Sequence, residues 1–417
     1  MTVTGQGDLA AAAEGAMQAG RLDEAARLWE RVLAEAPDHP RALLHLGQHM
    51  LHRGDAARAR DLLERAVAAD PKNPLAALNL SFVFRATGDA AGEGMALARA
   101  LAADPYYLPA LLARGALEER TGRAREAART YDVALTIAPD KPAAWLAEPL
   151  AHARAVVEAN RAALDGFLTA RLAAARARHA VPARFDEAKD VMTGRKKVYT
   201  QQPTLLHYPG LPAIQFYDRA DFPWLDAVEA ATDTICDELL AVLKKDSGDF
   251  APYVRHRPGV PLNQWAELNH SPRWSAYFLW RDGVRQDDPC AQCPATAALL
   301  ETLPLAVVPG AAPAAFFSAL APKTRIPPHT GVTNTRLIVH LPLVVPEGCW
   351  YRVGNDRREW VPGKAWVFDD TIEHEAWNGS DLPRYVLIFD IWNPLLSEDE
   401  RAMVCALLAG VRDYYAG

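Results

Sequence analysis

A period of 34 residues constrains the first third of this chain more than any other feature. Glycines recur at positions 20, 54, 88 and 122, and prolines recur at positions 37, 71, 105 and 139. Glycine adopts the left-handed conformation that ends a helix, and proline cannot continue one. Two independent breaker residues that share one period therefore predict stacked helix–turn–helix units.

Other positions keep the same register. A leucine recurs at positions 44, 78 and 112, and an alanine recurs at positions 25, 59 and 127, where Glu93 interrupts the series. These features resemble the tetratricopeptide repeat family. The resemblance implies a helical solenoid of four repeats over residues 1–141, whose groove binds a peptide or protein partner; a spacer or oligomerisation element is the alternative. Residues 142–181 are predicted to form capping helices, interrupted near Pro149, and a linker.

Composition excludes several kinds of partner. The formal charge of −7 and the pI near 6.0 give no basic footprint for nucleic acid or anionic lipid. The N-terminal residues lack a signal-peptide pattern, and no apolar run approaches the ~20 residues that span a bilayer. We therefore expect a cytoplasmic protein with no nucleic-acid partner and no membrane partner.

Cys290 and Cys293 form a C-x-x-C pair, but no second pair lies at ligand spacing, so incidental thiols are expected rather than zinc or redox chemistry.

The pattern changes after about residue 182. A helix is predicted over 223–245, and short alternating runs follow, among them "RLIVHLPLVV", "CWYRVG", "HEAWNGS" and "RYVLIFDIW", separated by Gly, Pro and Asn. Many short strands with turn residues between them predict an antiparallel barrel or sandwich of the jelly-roll kind over residues 182–417. The chain is thus expected to be a multidomain α and β protein.

Two histidines in this second region are candidate metal ligands. Non-haem iron is commonly held by two histidines and one carboxylate supplied by separate strands. His329 follows a predicted Pro-Pro turn, and the position two residues later, where the carboxylate usually lies, is Gly331. His374 is the second candidate ligand, and Asp369 and Asp370 just before it are an alternative source of a carboxylate.

Three segments carry a family resemblance: "PPHTGVTNTRLIVHLPLVVPEGCW", "GKAWVFDDTIEHEAWN" and "RYVLIFDIWNP". Together they resemble the aspartyl/asparaginyl β-hydroxylase family of iron(II)- and 2-oxoglutarate-dependent oxygenases, and the similarity covers about residues 200–400. The resemblance implies a double-stranded β-helix with flanking helices. It also implies that glycine is tolerated at position 331, with water in place of the missing carboxylate.

The resemblance assigns roles to individual residues. His329 and His374 match the iron ligands, and Ser318 and Arg384 match the pair that holds the distal carboxylate of 2-oxoglutarate. His340 matches the residue beside the metal-binding carboxylate of 2-oxoglutarate, and Arg336 lies on the same predicted strand. The family's animal members carry a second arginine two residues after Arg336, whereas this chain has Ile338 there. Arg325 and Arg281 are candidates for offsetting that change.

Three functions follow as hypotheses. The first is an oxygenase that uses Fe(II), 2-oxoglutarate and O2 to hydroxylate an aspartyl or asparaginyl residue of a peptide or protein, or a related small acid, recruited by the repeats. The alternative is a non-catalytic repeat scaffold whose β-barrel senses a metal or ligand. A zinc hydrolase would need a third protein ligand and a general base, for which Asp370 and Glu373 are the candidates.

Overall fold

The computed structural model describes residues 6–245 and 250–416, and it divides into two compact units, residues 1–195 and 196–417. The division lies later than the expected boundary near residue 182, because the short helix Ala183–Met192 belongs to the first unit. Residues 1–5 of the expected repeat array, and residues 246–249 and 417 of the expected oxygenase domain, lie outside the described residues.

The predicted repeat array is confirmed. Successive pairs of helices, each 13 or 14 residues long, occupy residues 6–137, and each pair corresponds to one sequence repeat. The helices are α1 (Gln6–Gln18), α2 (Leu22–Glu35), α3 (Pro40–His52), α4 (Ala56–Ala69), α5 (Pro74–Ala86), α6 (Ala90–Ala103), α7 (Leu108–Arg120) and α8 (Ala124–Ile137).

The periodic residues explain the turns and the close packing. The four periodic glycines all have φ between 72° and 83°, the left-handed region in which a Cβ would be strained. Gly115 lets α7 approach α8 so closely that an added Cβ would overlap the ring of Tyr131. Glu93, which replaces the periodic alanine, is 3% exposed and accepts hydrogen bonds from Arg120 Nη2 at 2.7 and 2.8 Å, so its buried charge is neutralised.

The helices that follow the array differ from the expectation in one respect. Pro149 does not interrupt them, because it lies in the first turn of one 30-residue helix, α9 (Ala147–Arg176). A proline is tolerated there since the first N–H groups of a helix have no intrahelical acceptor. The short helix α10 (Ala183–Met192) completes the first unit.

The second unit is built on two antiparallel sheets, which confirms the predicted fold class. Its strands are β1 (Ala251–Pro252), β2 (Trp274–Arg281), β3 (Val284–Arg285), β4 (Ala315–Leu320), β5 (Thr324–His329), β6 (Arg336–Val344), β7 (Cys349–Val353), β8 (Asp356–Glu359), β9 (Trp366–Phe368), β10 (His374–Asn378) and β11 (Arg384–Trp392). The larger sheet has the order β1-β2-β4-β11-β6-β9, with β3 beside β2, and the smaller has the order β5-β10-β7-β8.

The predicted Pro-Pro turn before His329 is wrong, because Pro327 and Pro328 belong to β5. This strand lies at the edge of the smaller sheet, where N–H groups on the open side need no ladder partner, so prolines are accommodated. The register then places His329 directly opposite His374 on β10.

The larger sheet lies between a helical layer and the smaller sheet. Helices α11 (Leu225–Ala230) and α12 (Thr232–Lys245) replace the single helix predicted over 223–245, and α13 (Asp287–Gln292), α14 (Pro294–Glu301) and α15 (Glu398–Ala416) follow. One face of the sheet packs in a core with α11 to α14 through residues such as Leu337 and Val339. The opposite face, which alternates with these residues along β6, shares a second core with the smaller sheet and surrounds the candidate site.

The cysteines of the chain are free thiols. Cys290, Cys293 and Cys349 are buried, whereas Cys236 and Cys405 are partly exposed. Among the described helices, none has the length and apolar composition required to cross a bilayer.

Candidate active site

His329 and His374 face each other across the β5–β10 pair at the mouth of a cavity of about 400 Å³. Their ring centroids are 4.0 Å apart. The Nδ1 atom of His329 donates to the carbonyl of Pro327 at 2.8 Å, and that of His374 donates to the carbonyl of Ile372 at 3.0 Å. Since a carbonyl only accepts, both Nε2 atoms are left with free lone pairs.

Burial keeps both imidazoles neutral. It lowers the pKa of His329 to about 4, and it lowers the pKa of His374 well below the ordinary value, with the neighbouring His329 as a second cause. A neutral imidazole with a fixed tautomer is the form that binds a transition metal. The pair therefore has the protonation state and the orientation of two metal ligands.

The space that a side chain at position 331 would occupy is filled by Asp370. A Cβ added to Gly331 would overlap the Asp370 carboxyl group, and the backbone N–H of Gly331 donates to the Asp370 carbonyl at 2.6 Å. The Oδ1 atom of Asp370 is buried and has no hydrogen-bond partner among the described residues, and burial raises the pKa of this carboxyl to about 7. The carboxyl does not complete a metal site by itself, because no group of three or more His, Cys, Asp or Glu side chains is positioned to hold a metal in residues 6–245 and 250–416.

Arg384 is a buried cation at the inner end of the same cavity. It is 1% exposed, and its Nη1 atom donates to Ser318 Oγ at 3.4 Å, an oxygen that also accepts from Trp274 Nε1 at 3.2 Å. Its guanidinium carbon lies 4.8 Å from the centre of the Trp360 ring, and its Nε atom lacks a partner within the described chain. Burial lowers its pKa to about 10.

His340, which belongs to β6, lies beside Arg384. It is 4% exposed, its Nδ1 atom has no partner among the described side chains, and burial followed by the charge of Arg384 lowers its pKa well below the ordinary value. An unpaired buried cation is costly unless an anion joins it, and arginine matches a carboxylate with two parallel donors. The inner end of the cavity is therefore suited to a carboxylate.

Arg336 lines the same cavity at some distance from Arg384. It begins β6, whereas Arg384 begins the antiparallel β11, so the two lie at opposite ends of the strand pair. The Nη1 atom of Arg336 donates to Asp390 Oδ2 at 2.6 Å, and the other oxygen of Asp390 accepts from the N–H of Ala314 at 2.7 Å. The structure thus brings all six residues singled out from the sequence around one cavity, with Arg336 in an ion pair.

The remaining sequence candidates are engaged elsewhere. Arg325 binds Glu375, and Arg281 lies 5.1 Å from the ring of Phe278, and neither lines the cavity. Glu373 accepts from Arg352 at 2.9 Å, and Asp369 accepts from Thr371 and Gln201.

Sequence reasoning missed Tyr351 and Arg255 among the cavity residues, whereas Trp265 was expected to be a core or pocket-wall aromatic. Trp265 packs edge-on against His329 with ring centroids 4.9 Å apart, and Tyr351 lies 4.9 Å from the ring of His340. Arg255 also lines the cavity. Trp265 and Arg255 come from the loop between β1 and β2, which has no periodicity to mark it, so only its long Pro-rich and aromatic composition could have drawn attention to it.

Comparisons with known proteins identify a family for each of two regions of the chain. Residues 229–394 match the family described as Aspartyl/Asparaginyl beta-hydroxylase, and residues 10–74 match the family described as Tetratricopeptide repeat. The human aspartyl/asparaginyl beta-hydroxylase is 33% identical over 211 residues, which are 49% of this chain and 26% of the relative. The ornithine lipid ester-linked acyl 2-hydroxylase of Rhizobium tropici is 34% identical over 195 residues, which are 46% of this chain and 65% of the relative.

The chain thus spans less than two thirds of the length of these curated relatives. Among solved structures, a tetratricopeptide repeat protein of Thermus thermophilus is 22% identical with a TM-score of 0.32, and the match covers 46% of this chain and 98% of that one. The chain therefore carries a domain of the aspartyl/asparaginyl β-hydroxylase family, preceded by an N-terminal array of tetratricopeptide repeats.

Proposed function

We propose that the second unit is an iron(II)- and 2-oxoglutarate-dependent dioxygenase that hydroxylates an aspartyl or asparaginyl residue of a peptide or protein. The observation that carries the proposal is one cavity with two neutral imidazoles at its mouth and, at its inner end, a buried arginine that has no acidic partner among the described residues. A metal-binding end and a carboxylate-binding end in one cavity fit an oxo-diacid that bridges them.

Each residue has a defined task in this proposal. The Nε2 atoms of His329 and His374 would hold iron(II), and position 331 contributes no ligand, because Gly331 has no side chain and Asp370 occupies the space beside it. Arg384 and Ser318 would hold the distal carboxylate of 2-oxoglutarate. His340 would lie beside the metal-binding carboxylate of the same molecule. Iron(II) with bound 2-oxoglutarate and O2 supplies the oxidant that hydroxylates a C–H bond, and the products are the alcohol, succinate and CO2.

The apolar wall of the cavity protects the reacting centre. Ile326, Ile338 and Ile388 line it together with Phe316 and Phe368, so water has few polar partners there. The alternative, a non-catalytic scaffold whose β-barrel senses a metal or ligand, accounts for Arg384 only if the sensed ligand is an anion, because a buried charge needs compensation.

The substrate class comes from the relatives. The human relative is named for hydroxylation of aspartyl and asparaginyl residues, and the Rhizobium relative for 2-hydroxylation of an ester-linked acyl group. The peptide substrate is preferred here because tetratricopeptide arrays present grooves that bind peptides, and this array is part of the same chain. Removing residues 1–195 should then raise KM for the native substrate while leaving kcat similar; an unchanged KM would remove the recruiting role.

The proposed reaction is tested by succinate formation from 2-oxoglutarate. Protein loaded with iron(II) without oxygen and then exposed to O2 should release succinate slowly even without substrate. His374→Ala should abolish the signal, and His207→Ala, a histidine of the same unit that does not line the cavity, should retain it. If the parent releases no succinate and 2-oxoglutarate does not bind to it, the proposal fails.

A further inference from the structure

The three arginines that line the cavity differ in what neutralises them. Arg336 is paired with Asp390, and Arg384 lies at the inner end that suits the cosubstrate carboxylate. Arg255 lines the mouth and is exposed, and no carboxylate or other acceptor in the described part of the chain pairs with it. Its charge is therefore available to a ligand.

The backbone on both sides of Arg255 is held in place. The N–H of Tyr253 donates to the carbonyl of Trp274 at 2.9 Å, and the N–H of His270 donates to the carbonyl of Val254 at 2.9 Å. The N–H of His256 donates to Asn269 Oδ1 at 2.8 Å. The base of the β1–β2 loop is thus closed like a hairpin, and Arg255 projects from a fixed position on the rim.

The charges of the loaded cavity also leave Arg255 unmatched. The charge of Arg336 is balanced by Asp390, and Arg384 faces the distal carboxylate of 2-oxoglutarate in the proposed function. Arg255 is the cavity-lining arginine for which neither the described residues nor the cosubstrate supplies an anion, and an anionic substrate group would complement its charge.

The inner wall offers no second cation to such a group. Ile338 lies between Arg336 and His340 on the cavity-facing side of β6, and Ile388 on β11 is apolar as well. A carboxylate on the substrate that reached this wall would lose its hydration, and the donor it would meet there is the buried Nε atom of Arg336, whose guanidinium is already paired with Asp390. At the exposed Arg255 on the rim, the carboxylate would keep part of its hydration and meet a guanidinium without a paired anion among the described residues.

We propose that Arg255 is a specificity residue that binds the side-chain carboxylate of the substrate, so that the domain prefers aspartyl to asparaginyl residues. The assignment rests on the proposed function, since it takes the cavity to be the catalytic one. A carboxylate accepts charge-assisted hydrogen bonds from a guanidinium, whereas a neutral amide gains much less from it.

The test is calorimetric binding to the full-length protein loaded with zinc(II) and 2-oxoglutarate, which does not turn over. The two probes are N-acetyl-L-aspartate N-methylamide and its asparagine counterpart. The parent should bind the aspartate probe roughly two- to fivefold more tightly than the asparagine probe, the ratio expected for an ion pair with an exposed guanidinium. Arg255→Gln should lose this preference, and Arg255→Lys should retain part of it.

Arg257→Gln is the matched control, because Arg257 is exposed on the same loop and does not line the cavity. It should keep the preference of the parent. A parent that binds both probes equally, an Arg255→Gln variant that still discriminates, or an Arg257→Gln variant that loses the preference overturns the assignment. The ratio between the two probes is insensitive to partial misfolding, since a misfolded fraction weakens both equally.

The same titration separates this assignment from the proposed function. If 2-oxoglutarate does not bind to the zinc-loaded parent, both fail. If it binds but the probes are not distinguished, only the role of Arg255 fails.

Discussion

Without cosubstrate, the Arg384→Met variant should be more stable than the parent. With 2-oxoglutarate bound, the variant should be less stable than the parent. Arg384 is 1% exposed and lacks an acidic partner within the described residues. Methionine keeps the apolar stem and adapts to irregular space, so the substitution removes mainly the charge.

The magnitude follows from the pKa. Burial lowers the pKa of Arg384 from its ordinary value to about 10, which corresponds to a cost of about 3 kcal/mol for holding the charge in the folded protein at neutral pH. Because the folded-state pKa is the lower one, this cost applies in full below about pH 10 and fades as the pH rises toward the ordinary pKa of arginine. The variant loses the hydrogen bond to Ser318 and the contact with the Trp360 ring, worth about 1 kcal/mol each. The net gain in unfolding free energy is about 1 kcal/mol.

Cosubstrate should reverse the order. At a concentration 100 times its Kd, 2-oxoglutarate stabilises the parent by about 2.7 kcal/mol. Loss of charge-assisted hydrogen bonds worth about 1.5–3 kcal/mol weakens binding to the variant roughly 10- to 150-fold. The variant then gains only about 1.4 kcal/mol or less from the same concentration.

The assay is urea unfolding of the full-length zinc-loaded protein, with and without 2-oxoglutarate. Tryptophan fluorescence reports mainly on the second unit, since nine of the eleven tryptophans follow residue 195. Arg401→Met is the control, because Arg401 also lies over a tryptophan, at 5.9 Å from the Trp392 ring, but outside the cavity. If Arg384→Met is the less stable protein in both conditions and responds to 2-oxoglutarate like the parent, the reasoning from the buried cation is refuted.

Three further outcomes are expected. Gly115→Ala should lower the unfolding free energy of the first unit by about 1–3 kcal/mol, because the added Cβ overlaps the Tyr131 ring. Gly166→Ala on α9 has open space around it and should raise the unfolding free energy by about 0.5–1 kcal/mol. Helical circular dichroism during urea unfolding measures both variants, and equal effects would contradict the packing argument. Gly331→Ala should destabilise the second unit by a similar 1–3 kcal/mol, and adding Asp370→Ala should recover most of the loss; additive effects in the double-mutant cycle would show that the two residues do not compete for one space. The two partly exposed cysteines should react with a thiol reagent in the folded protein, and the three buried cysteines only after unfolding; fast reaction of all five would contradict the burial.

Much of the fold could be predicted from the sequence because its signals are local. The repeat array follows from breaker residues at a fixed period, and each helix pair contacts mainly its neighbours in the chain. The predicted strands around His340, His374 and Arg384 follow from alternation, which is also a property of short segments. Strands β2 and β4 were not predicted as such, because strands buried on both faces show little alternation: β4 has five buried residues out of six.

Local sequence signals led to wrong structural predictions for three prolines. Pro-Pro before His329 is typical of a turn, yet β5 accepts both residues because it is an edge strand, and its place in the sheet is a property of the whole domain. Pro149 is tolerated because α9 begins just before it.

The sequence by itself determined the repeat period, the order of the candidate ligands and the residue types available to them. Only the tertiary structure decided which of these residues meet. It set His329 opposite His374, filled the space beside Gly331 with Asp370, paired Arg336 with Asp390 and left Arg255 on the rim without a partner among the described residues. Those contacts join residues tens of positions apart, and they depend on strand register and loop anchoring, which no periodicity within one short segment can specify.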